Sequence, residues 1–236
     1  MNNTIVIIPA RGGSKRIKNK NITYICERPM IEWPILELKK EFSNKQIFVS
    51  TDSEEIADVC KKNGVRVPFL RPKELSDDYT GTMAVAAHAV KWLIEDGHEF
   101  ENVLIVYPTA VLLNIKDVKD AFYQLETDND CDCVMSATAF PFPIQRAVYT
   151  DKNGFVQMFY TEHALTRSQD LTSAYHDAGQ FYCCRKDAVL RETNWTNGKH
   201  KVQLLHRLKV ADIDDYEDLE VAEQRLTNLL LKRRNE

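Results

Sequence analysis

The chain has 236 residues, of which 44% are hydrophobic and 28% are charged, so it can bury a full core and we expect one domain over residues 1–236. Its formal net charge of −4 argues against nucleic acid as a partner, since a polyanion needs a strongly basic surface. The longest apolar stretch, residues 103–113, is interrupted by Pro108 and is too short to cross a bilayer. The N-terminal apolar run is too short for a signal peptide. We therefore expect a cytoplasmic protein without membrane contact.

The cysteines do not form a recognisable metal-binding pattern. They are Cys26, Cys60, Cys131, Cys133, Cys183 and Cys184. Spacings of C-x-C and C-C lack the paired C-x-x-C of a structural zinc site. In a cytoplasmic chain we expect all of them to be reduced and partly buried, without a chemical role.

The first predicted element is a buried parallel strand over residues 5–8, which are all apolar and β-branched. It leads into a loop with two adjacent glycines and no acidic residue before Glu27. The loop carries several cations: Arg11, Lys15, Arg16, Lys18 and Lys20. Glycines let backbone N–H groups curl around an anion, and clustered cations repel one another unless water or a polyanion lies between them. The pattern favours a triphosphate site over the alternative, a solvated basic loop.

Two common phosphate-binding patterns, G-x-G-x-x-G and G-x-x-x-x-G-K-[ST], are absent from this loop. The loop instead resembles the opening motif of the sugar-nucleotide cytidylyltransferases, which make CMP-sialic acids and related activated nonulosonates. The family's A-R-x-x-S-K, followed by K-N, is matched by residues 10–15 and 20–21. The resemblance implies that CTP is bound by Arg11, Gly12, Gly13, Ser14, Lys15, Lys20 and Asn21.

The next segments predict alternating helices and strands: helices over about residues 34–43 and 53–63, and strands over residues 46–50 and 65–69. Thr51 and Asp52 are expected to cap the second helix. This order predicts right-handed crossovers and a site at the carboxyl ends of the strands. We therefore expect an α/β fold, a Rossmann-like three-layer sandwich with a mostly parallel sheet.

A polar loop over residues 70–82 precedes a predicted helix over residues 83–95. The family has a similar R-P-x-E-L loop that closes over the nucleotide. The resemblance assigns nucleotide contacts to Arg71, Asp77, Thr80 and Thr82. From the residues alone, Arg71 has an equal alternative, a surface ion pair with Glu74.

Strands are predicted over residues 103–107 and 133–138, with a helix over residues 116–126 between them. After the first of these strands, most sialic acid enzymes have Gln-Pro-Thr, with the glutamine facing the sugar. This chain has Tyr107 in that place, which implies a different acceptor sugar.

Residues 140–172 concentrate aromatic side chains around an Asn153-Gly154 turn, which predicts a β-hairpin. In the family this region is a dimerisation insert, so the resemblance implies a homodimer. The alternative is that the insert folds back over its own core. Two residues of this region, Gln145 and Arg167, are assigned to substrate binding.

The segment Y-H-D-A-G-Q-F-Y, residues 175–182, is similar to the branch of the family that acts on pseudaminic acid. The resemblance assigns sugar contacts to His176, Asp177 and Gln180. Taken alone, His176 is more often an ordinary surface or packed histidine.

A last strand is predicted over residues 204–210, followed by Asp212 and Asp214, which would share one face because alternate residues do so in a strand. Two adjacent carboxylates beside phosphates suit Mg²⁺, and the family's I-D-I-D motif implies the same role. The competing interpretation is capping of a predicted helix over residues 216–231. We expect Asp215 to be the cap.

The resemblance as a whole implies a nucleotidyltransferase that moves CMP from CTP to the anomeric hydroxyl of a nonulosonic acid, with Mg²⁺ as cofactor. Pseudaminic acid is the expected acceptor, and N-acetylneuraminic or legionaminic acid is the alternative. An alternative of another class is a nucleotide-binding protein without turnover. The residues expected to carry the chemistry are Arg11, Lys15, Lys20, Arg167 and Asp212.

Overall fold

A computed structural model describes residue 1 and residues 3–234 of the chain, and its centre is a six-stranded sheet. The strands are β1 (Thr4–Pro9), β2 (Tyr24–Ile25), β3 (Arg28–Pro29), β4 (Ile47–Ser50), β5 (Asn102–Val106), β6 (Cys133–Ala139), β7 (Val148–Thr150), β8 (Val156–Met158), β9 (Tyr175–Arg185) and β10 (His200–Leu204). The helices are α1 (Glu32–Leu38), α2 (Glu54–Lys62), α3 (Thr82–Glu95), α4 (Ile115–Thr127), α5 (Lys186–Leu190) and α6 (Tyr216–Arg234).

The strand order in the large sheet is β10-β6-β9-β5-β1-β4. All neighbours are parallel except β9, which is antiparallel to both β5 and β6. The expected α/β fold with a mostly parallel sheet is therefore confirmed. The carboxyl ends of β1, β4 and β5 meet at one edge, where ligands bind in folds of this kind.

Helices cover both faces of the sheet. Strand β1 is buried on both of its faces, which explains the unbroken apolar run at residues 5–8. Val6 and Ile8 belong to the hydrophobic cluster that includes residues of α1, α2 and α4. Ile5 and Ile7 belong to the cluster that includes residues of α3 and α5. Since alternate residues of a strand face opposite sides, a strand buried on both faces needs apolar residues at every position. This arrangement is the expected three-layer sandwich.

Several predicted elements differ from the structure. Residues 65–69 form no strand: Arg66 makes one isolated bridge to Phe48, and the next one, between Leu70 and Thr51, lies just beyond this range. The last strand, β10, ends at Leu204, where the predicted strand over residues 204–210 begins. Beyond it, Leu205 and Val210 turn into the core and a 3₁₀ turn, Arg207–Lys209, separates them. The prediction that strand alternation aligns Asp212 with Asp214 is therefore wrong.

Two helix boundaries also differ from the prediction. Helix α1 ends at Leu38 rather than at residue 43. Ser53, and not Asp52, caps α2, since the Ile56 N–H donates to its hydroxyl. Asp52 is thereby left available for the loop after β1.

The expectation that all cysteines are reduced is wrong for Cys133 and Cys184, which form a disulfide. The two residues lie directly opposite each other in the antiparallel pairing of β6 and β9, with their Cα atoms 4.1 Å apart. Cys26, Cys60, Cys131 and Cys183 are free. Among the described residues, no helix has the length and apolarity needed to span a membrane.

The predicted hairpin at Asn153-Gly154 is present: β7 and β8 pair antiparallel in a separate two-stranded sheet. Gly154 has a φ of 84°, a conformation that favours glycine in a tight turn. Large apolar side chains on and beside the hairpin are exposed, with Phe142 at 79%, Phe155 at 67% and Phe159 at 61%. The hairpin therefore does not fold back over its own core.

Candidate active site

A cavity of about 500 Å³ lies at the carboxyl ends of β1 and β5. Its walls come from the loop after β1, the segment at residues 71–85, the turn after β5 and the segment before α6. Of the predicted site residues, those that line it are Arg11, Ser14, Lys15, Lys20, Asn21, Arg71, Asp77, Thr80, Thr82, Tyr107 and Asp214. The cavity thus lies at the edge of the sheet where the strand order predicted the site.

The loop after β1 is held against the sheet by its neighbours. The Gly12 N–H donates to Asp52 Oδ1 at 2.8 Å, and the Asn21 amide donates to the Arg11 carbonyl at 2.8 Å. A Cβ atom at position 12 would lie 2.9 Å from the Cβ of Ser53, so only glycine allows this approach. The Gly12 N–H is already paired, so Gly12 shapes the loop and does not offer this group to a ligand. Gly13 is not under the same steric constraint, because a Cβ atom added there would have no neighbouring atom within 4 Å.

Carboxylates from two distant segments neutralise the cations of this loop. Asp78 accepts from Arg11 at 2.6 Å and pairs with Lys15. Hydrogen bonds from Lys15 and then from Arg11 hold the pKa of Asp78 below its ordinary value. A carboxylate and a phosphate present the same kind of oxygen to these cations, so Arg11 and Lys15 can pair with either group.

Asp214 makes the equivalent contacts on the other side of the cavity. Its Oδ1 lies 2.8 Å from an Arg16 guanidinium nitrogen and 3.4 Å from Lys20 Nζ, and the Lys20 Nζ also donates to the Ile213 carbonyl at 2.5 Å. Burial alone would raise the pKa of Asp214, but the Arg16 hydrogen bond and the Lys20 charge lower it. Arg16 and Asp78 were not assigned a role from the sequence, although both belong to the motifs singled out there.

Arg71 is a buried cation at the wall of the cavity, with only 3% of its side chain exposed. Its partner is Asp52, 3.7 Å away, and not Glu74, the expected alternative. Among the described residues, Nε and one terminal nitrogen of Arg71 have no hydrogen-bond partner. Burial lowers the pKa of Arg71, and Asp52 partly offsets the effect. Unpaired buried donors are costly, so a ligand oxygen at this wall would be stabilised.

The loop at residues 72–81 is organised by Asp77. Its carboxylate accepts from the Thr80 hydroxyl and N–H at 2.7 Å and from the Tyr79 N–H at 2.9 Å. These hydrogen bonds, those from Thr80 first, lower the pKa of Asp77. Asp77 therefore positions Thr80 at the cavity.

A chain of hydroxyl groups begins at the cavity wall with Thr82 and Tyr107 and continues to Tyr182, which does not line the cavity. Thr82 Oγ1 is 3.0 Å from the Tyr107 hydroxyl, which is 3.5 Å from the Tyr182 hydroxyl, and Tyr182 donates to the Asp177 carboxylate. Tyr182 was not assigned to the site from the sequence. It is the last tyrosine of the Y-H-D-A-G-Q-F-Y segment, which was the available signal.

Other predicted sugar-binding residues do not line the cavity. The Gln180 side chain is 2% exposed and donates to the Lys209 carbonyl, which is a packing role. Arg167 pairs with Asp170 at 2.7 Å, and Gln145 donates to the Thr172 carbonyl, both within the hairpin region. His176 is exposed and its ring contacts Phe140. One chain therefore does not bring these four residues to the cavity.

The two aspartates expected to hold a metal have different surroundings. Within the described part of the chain, Asp212 makes no hydrogen bond or ion pair. Its pKa is raised, mainly because the carboxylate is partly desolvated and secondly because of the negative charge of Asp214. Asp215 caps α6, as expected, by accepting from the Glu217 and Asp218 N–H groups at 3.0 Å. In the same described part, no three His, Cys, Asp or Glu side chains converge on a metal position.

These two carboxylates fit Mg²⁺ only together with ligands from a substrate. Asp212 has no partner, and the negative charge of Asp214 raises its pKa. A cation between the two carboxylates would relieve this repulsion. Mg²⁺ is commonly bound by one or two carboxylates, with waters and substrate phosphates completing its ligand set. The protein side chains thus suit a metal that arrives with a phosphorylated substrate.

The chain is similar to known cytidylyltransferases over most of its length. It is 42% identical over 218 residues, 92% of this chain and 94% of the relative, to pseudaminic acid cytidylyltransferase of Campylobacter jejuni. It is 24% identical over 218 residues, 92% of this chain and 51% of the relative, to N-acylneuraminate cytidylyltransferase of Escherichia coli.

The fold is also that of a solved enzyme. The structure of CMP:2-keto-3-deoxy-manno-octonic acid synthetase complexed with CTP matches with a TM-score of 0.70, over 96% of this chain and 99% of that chain, at 13% identity. The sequence pattern that defines the cytidylyltransferase family matches residues 5–233. This chain belongs to the cytidylyltransferase family.

Proposed function

We propose that the protein transfers CMP from CTP to the anomeric hydroxyl of a nonulosonic acid, with pseudaminic acid as the acceptor. The observation that carries the proposal is the convergence of Arg11, Lys15 and Lys20 on one cavity at the sheet edge. The 42% identity to a pseudaminic acid cytidylyltransferase supports the choice of base and acceptor, which residue types alone do not specify.

The reaction requires positioning and charge compensation more than covalent participation by the protein. The sugar hydroxyl oxygen bonds to the α-phosphorus of CTP, the bond to the bridging oxygen breaks, and pyrophosphate leaves with the added charge. Arg11, Lys15 and Lys20 would hold the triphosphate and compensate this charge, which is the main source of rate in such transfers. Phosphate oxygens would replace Asp78 on Arg11 and Lys15.

Mg²⁺ is part of the proposal, with Asp212 and Asp214 as the residues that would hold it beside the phosphates. When bound, the ion would neutralise phosphate charge and make the sugar hydroxyl more acidic. Asp212 is the residue we assign to accept the hydroxyl proton.

Two other functions of the same site are less well supported: transfer to a different sugar acid, and nucleotide binding without turnover. Transfer to N-acetylneuraminic or legionaminic acid is disfavoured by Tyr107, which replaces the family's glutamine at the wall of the cavity. Nucleotide binding without turnover is disfavoured because the cations and both aspartates of the site are present.

The proposed function is tested by pyrophosphate release from CTP with pseudaminic, N-acetylneuraminic and legionaminic acids, each assayed with Mg²⁺. We expect release with pseudaminic acid at a kcat/KM at least about tenfold above the others, since one changed substituent contact contributes that much discrimination. Release with another sugar acid alone would contradict the acceptor assignment. CTP binding without release with any acceptor would support the non-catalytic alternative.

Asp78→Asn is expected to bind CTP about two- to fivefold more tightly than the unmodified protein. The carboxylate competes with phosphate for Arg11 and Lys15, and an exposed ion pair of this kind contributes little. Titration calorimetry without an acceptor sugar measures the affinity.

The control for this variant is Asp120→Asn, which removes an equivalent exposed ion pair with Lys116 on α4. It changes the net charge equally and should leave the CTP affinity unaltered. Weaker CTP binding by Asp78→Asn would show that Asp78 organises the loop for the nucleotide and does not compete with it.

We propose that the protein is a homodimer assembled through the hairpin region, residues 140–172. Burial of Phe142, Phe155 and Phe159, now exposed, would contribute roughly 1.5–3 kcal/mol each. A two-fold partner presenting the same face is the commonest way to cover such a patch. A dimer would also explain why Arg167 and Gln145 do not line the cavity of their own chain, since they would be available to the partner's site.

Light scattering at micromolar concentration is expected to give twice the chain mass for the unmodified protein. The double variant Phe155→Ser with Phe159→Ser should give the mass of a single chain. Tyr123→Ser, which removes an aromatic side chain that is 69% exposed on α4, is the control and should stay dimeric. A monomeric unmodified protein with full activity would refute the dimer.

A further inference from the structure

A second cavity, of about 460 Å³, lies behind Tyr107. It shares only Thr82 and Tyr107 with the nucleotide cavity. Its other walls combine apolar and aromatic side chains, Met83, Met135, Tyr182 and Trp195, with the polar side chains of Glu192, Thr193, Asn194 and His200. The two cavities are thus neighbours on either side of one tyrosine.

The partition between the cavities is held in place by hydrogen bonds. Thr82 Oγ1 is 3.0 Å from the Tyr107 hydroxyl on one side. The Tyr182 hydroxyl is 3.5 Å from it on the other, and the two tyrosine rings lie 5.9 Å apart. The ring of Tyr107 therefore has partners on both α3 and β9, which fix its orientation.

Asp177 anchors this chain of hydroxyl groups to the backbone. Its carboxylate accepts from Tyr182 and also from the Gly179 N–H, the latter at 2.8 Å. Gly179 has a φ of 61°, and a Cβ added there would lie 3.3 Å from Asp212 Oδ1. Glycine at position 179 therefore allows the backbone to bend so that the Asp177 carboxylate reaches Tyr182, while Asp212 packs against Gly179.

We propose that Tyr107, positioned by Tyr182 and Asp177, is the residue that determines acceptor selectivity by closing the second cavity to the sugar. The inference rests on the proposed function, because it concerns the sugar acid bound beside CTP. With the ring in place, an acceptor whose acyl substituent is longer than acetyl meets the partition. Without it, the two cavities join, and the apolar walls of the second one accommodate the extra methylene groups.

The test compares acceptors that differ in one acyl chain, an N-acetyl sugar acid and its N-butanoyl homologue, by their kcat/KM values at saturating CTP. We expect Tyr107→Ala to lower the ratio of acetyl to butanoyl kcat/KM by about tenfold or more, since one or two methylene groups in a pocket give 10- to 200-fold discrimination. Tyr107→Phe retains the ring and should retain most of the selectivity.

Tyr182→Phe tests the positioning role, because it removes the hydroxyl that links Tyr107 to Asp177 while leaving the ring of residue 182 and the contact between Thr82 and Tyr107 in place. We expect it to lower the selectivity ratio less than Tyr107→Ala does and more than a remote control, Tyr123→Ala on α4, which should not lower it. A Tyr107→Ala variant that turns over both acceptors with the unmodified ratio would overturn the inference. Absence of pyrophosphate release by the unmodified protein with every acceptor would instead refute the proposed function.

Discussion

Lys20→Ala is expected to lower turnover by about 100-fold or more while the fold stays intact, because removal of one fixed charge at developing anionic oxygens typically costs that much. Lys20 is 20% exposed, its Nζ donates to the Ile213 carbonyl, and it faces the cavity. The ammonium group is thereby held at the wall of the site. Steady-state pyrophosphate release measures the effect, and circular dichroism verifies the fold.

Lys18→Ala is the matched control for this prediction. Lys18 belongs to the same basic loop, but its side chain is exposed and does not line the cavity. Turnover should remain within about twofold of the unmodified value, because exposed charges contribute little. Equal loss in both variants would indicate a general effect of loop charge, and unaltered turnover in folded Lys20→Ala would exclude a role for Lys20 in binding the triphosphate.

Asp214→Asn is expected to abolish most Mg²⁺-dependent turnover while CTP affinity changes far less. A neutral amide is a poorer ligand for a hard cation than a carboxylate, and Asp214 is one of the two carboxylates that would hold the ion. The same change releases Arg16 and Lys20 from their carboxylate partner, which offsets any loss in CTP affinity. Kinetics at varied Mg²⁺ and CTP concentrations separate the two effects.

Asp215→Asn provides the control because Asp215, its neighbour, caps α6. Asparagine is as good an N-cap as aspartate, so this variant should retain both activity and stability. The metal assignment would be refuted if Asp214→Asn kept the Mg²⁺ dependence of the unmodified protein. In that case the role of Asp214 would be limited to its ion pairs with the basic loop.

Local sequence determined the parts of the protein whose partners are near in the chain. The apolar residues of β1 specify a strand buried on both faces, because only such a position tolerates apolar side chains throughout. The cations of the loop after β1 predicted an anion site at the end of that strand, where the cavity lies, whereas the expected cradle of glycine N–H groups is not seen at Gly12, whose N–H is paired with Asp52. Asp215 was predicted as the cap of α6, and the Asn153-Gly154 turn was predicted as a hairpin, because both features depend on residues within one or two turns.

Tertiary structure decided the features that depend on distant segments. Strand β9 enters the sheet between β5 and β6, where its pairing sets Cys184 opposite Cys133 and carries Tyr182 to Tyr107. Asp52 reaches Gly12 and Asp78 reaches Lys15 across more than 35 residues of chain. No local pattern encodes such contacts, because they depend on which strand ends the sheet brings together. The partition made by Tyr107 therefore follows from the packing of α3, β5 and β9 and not from any one motif.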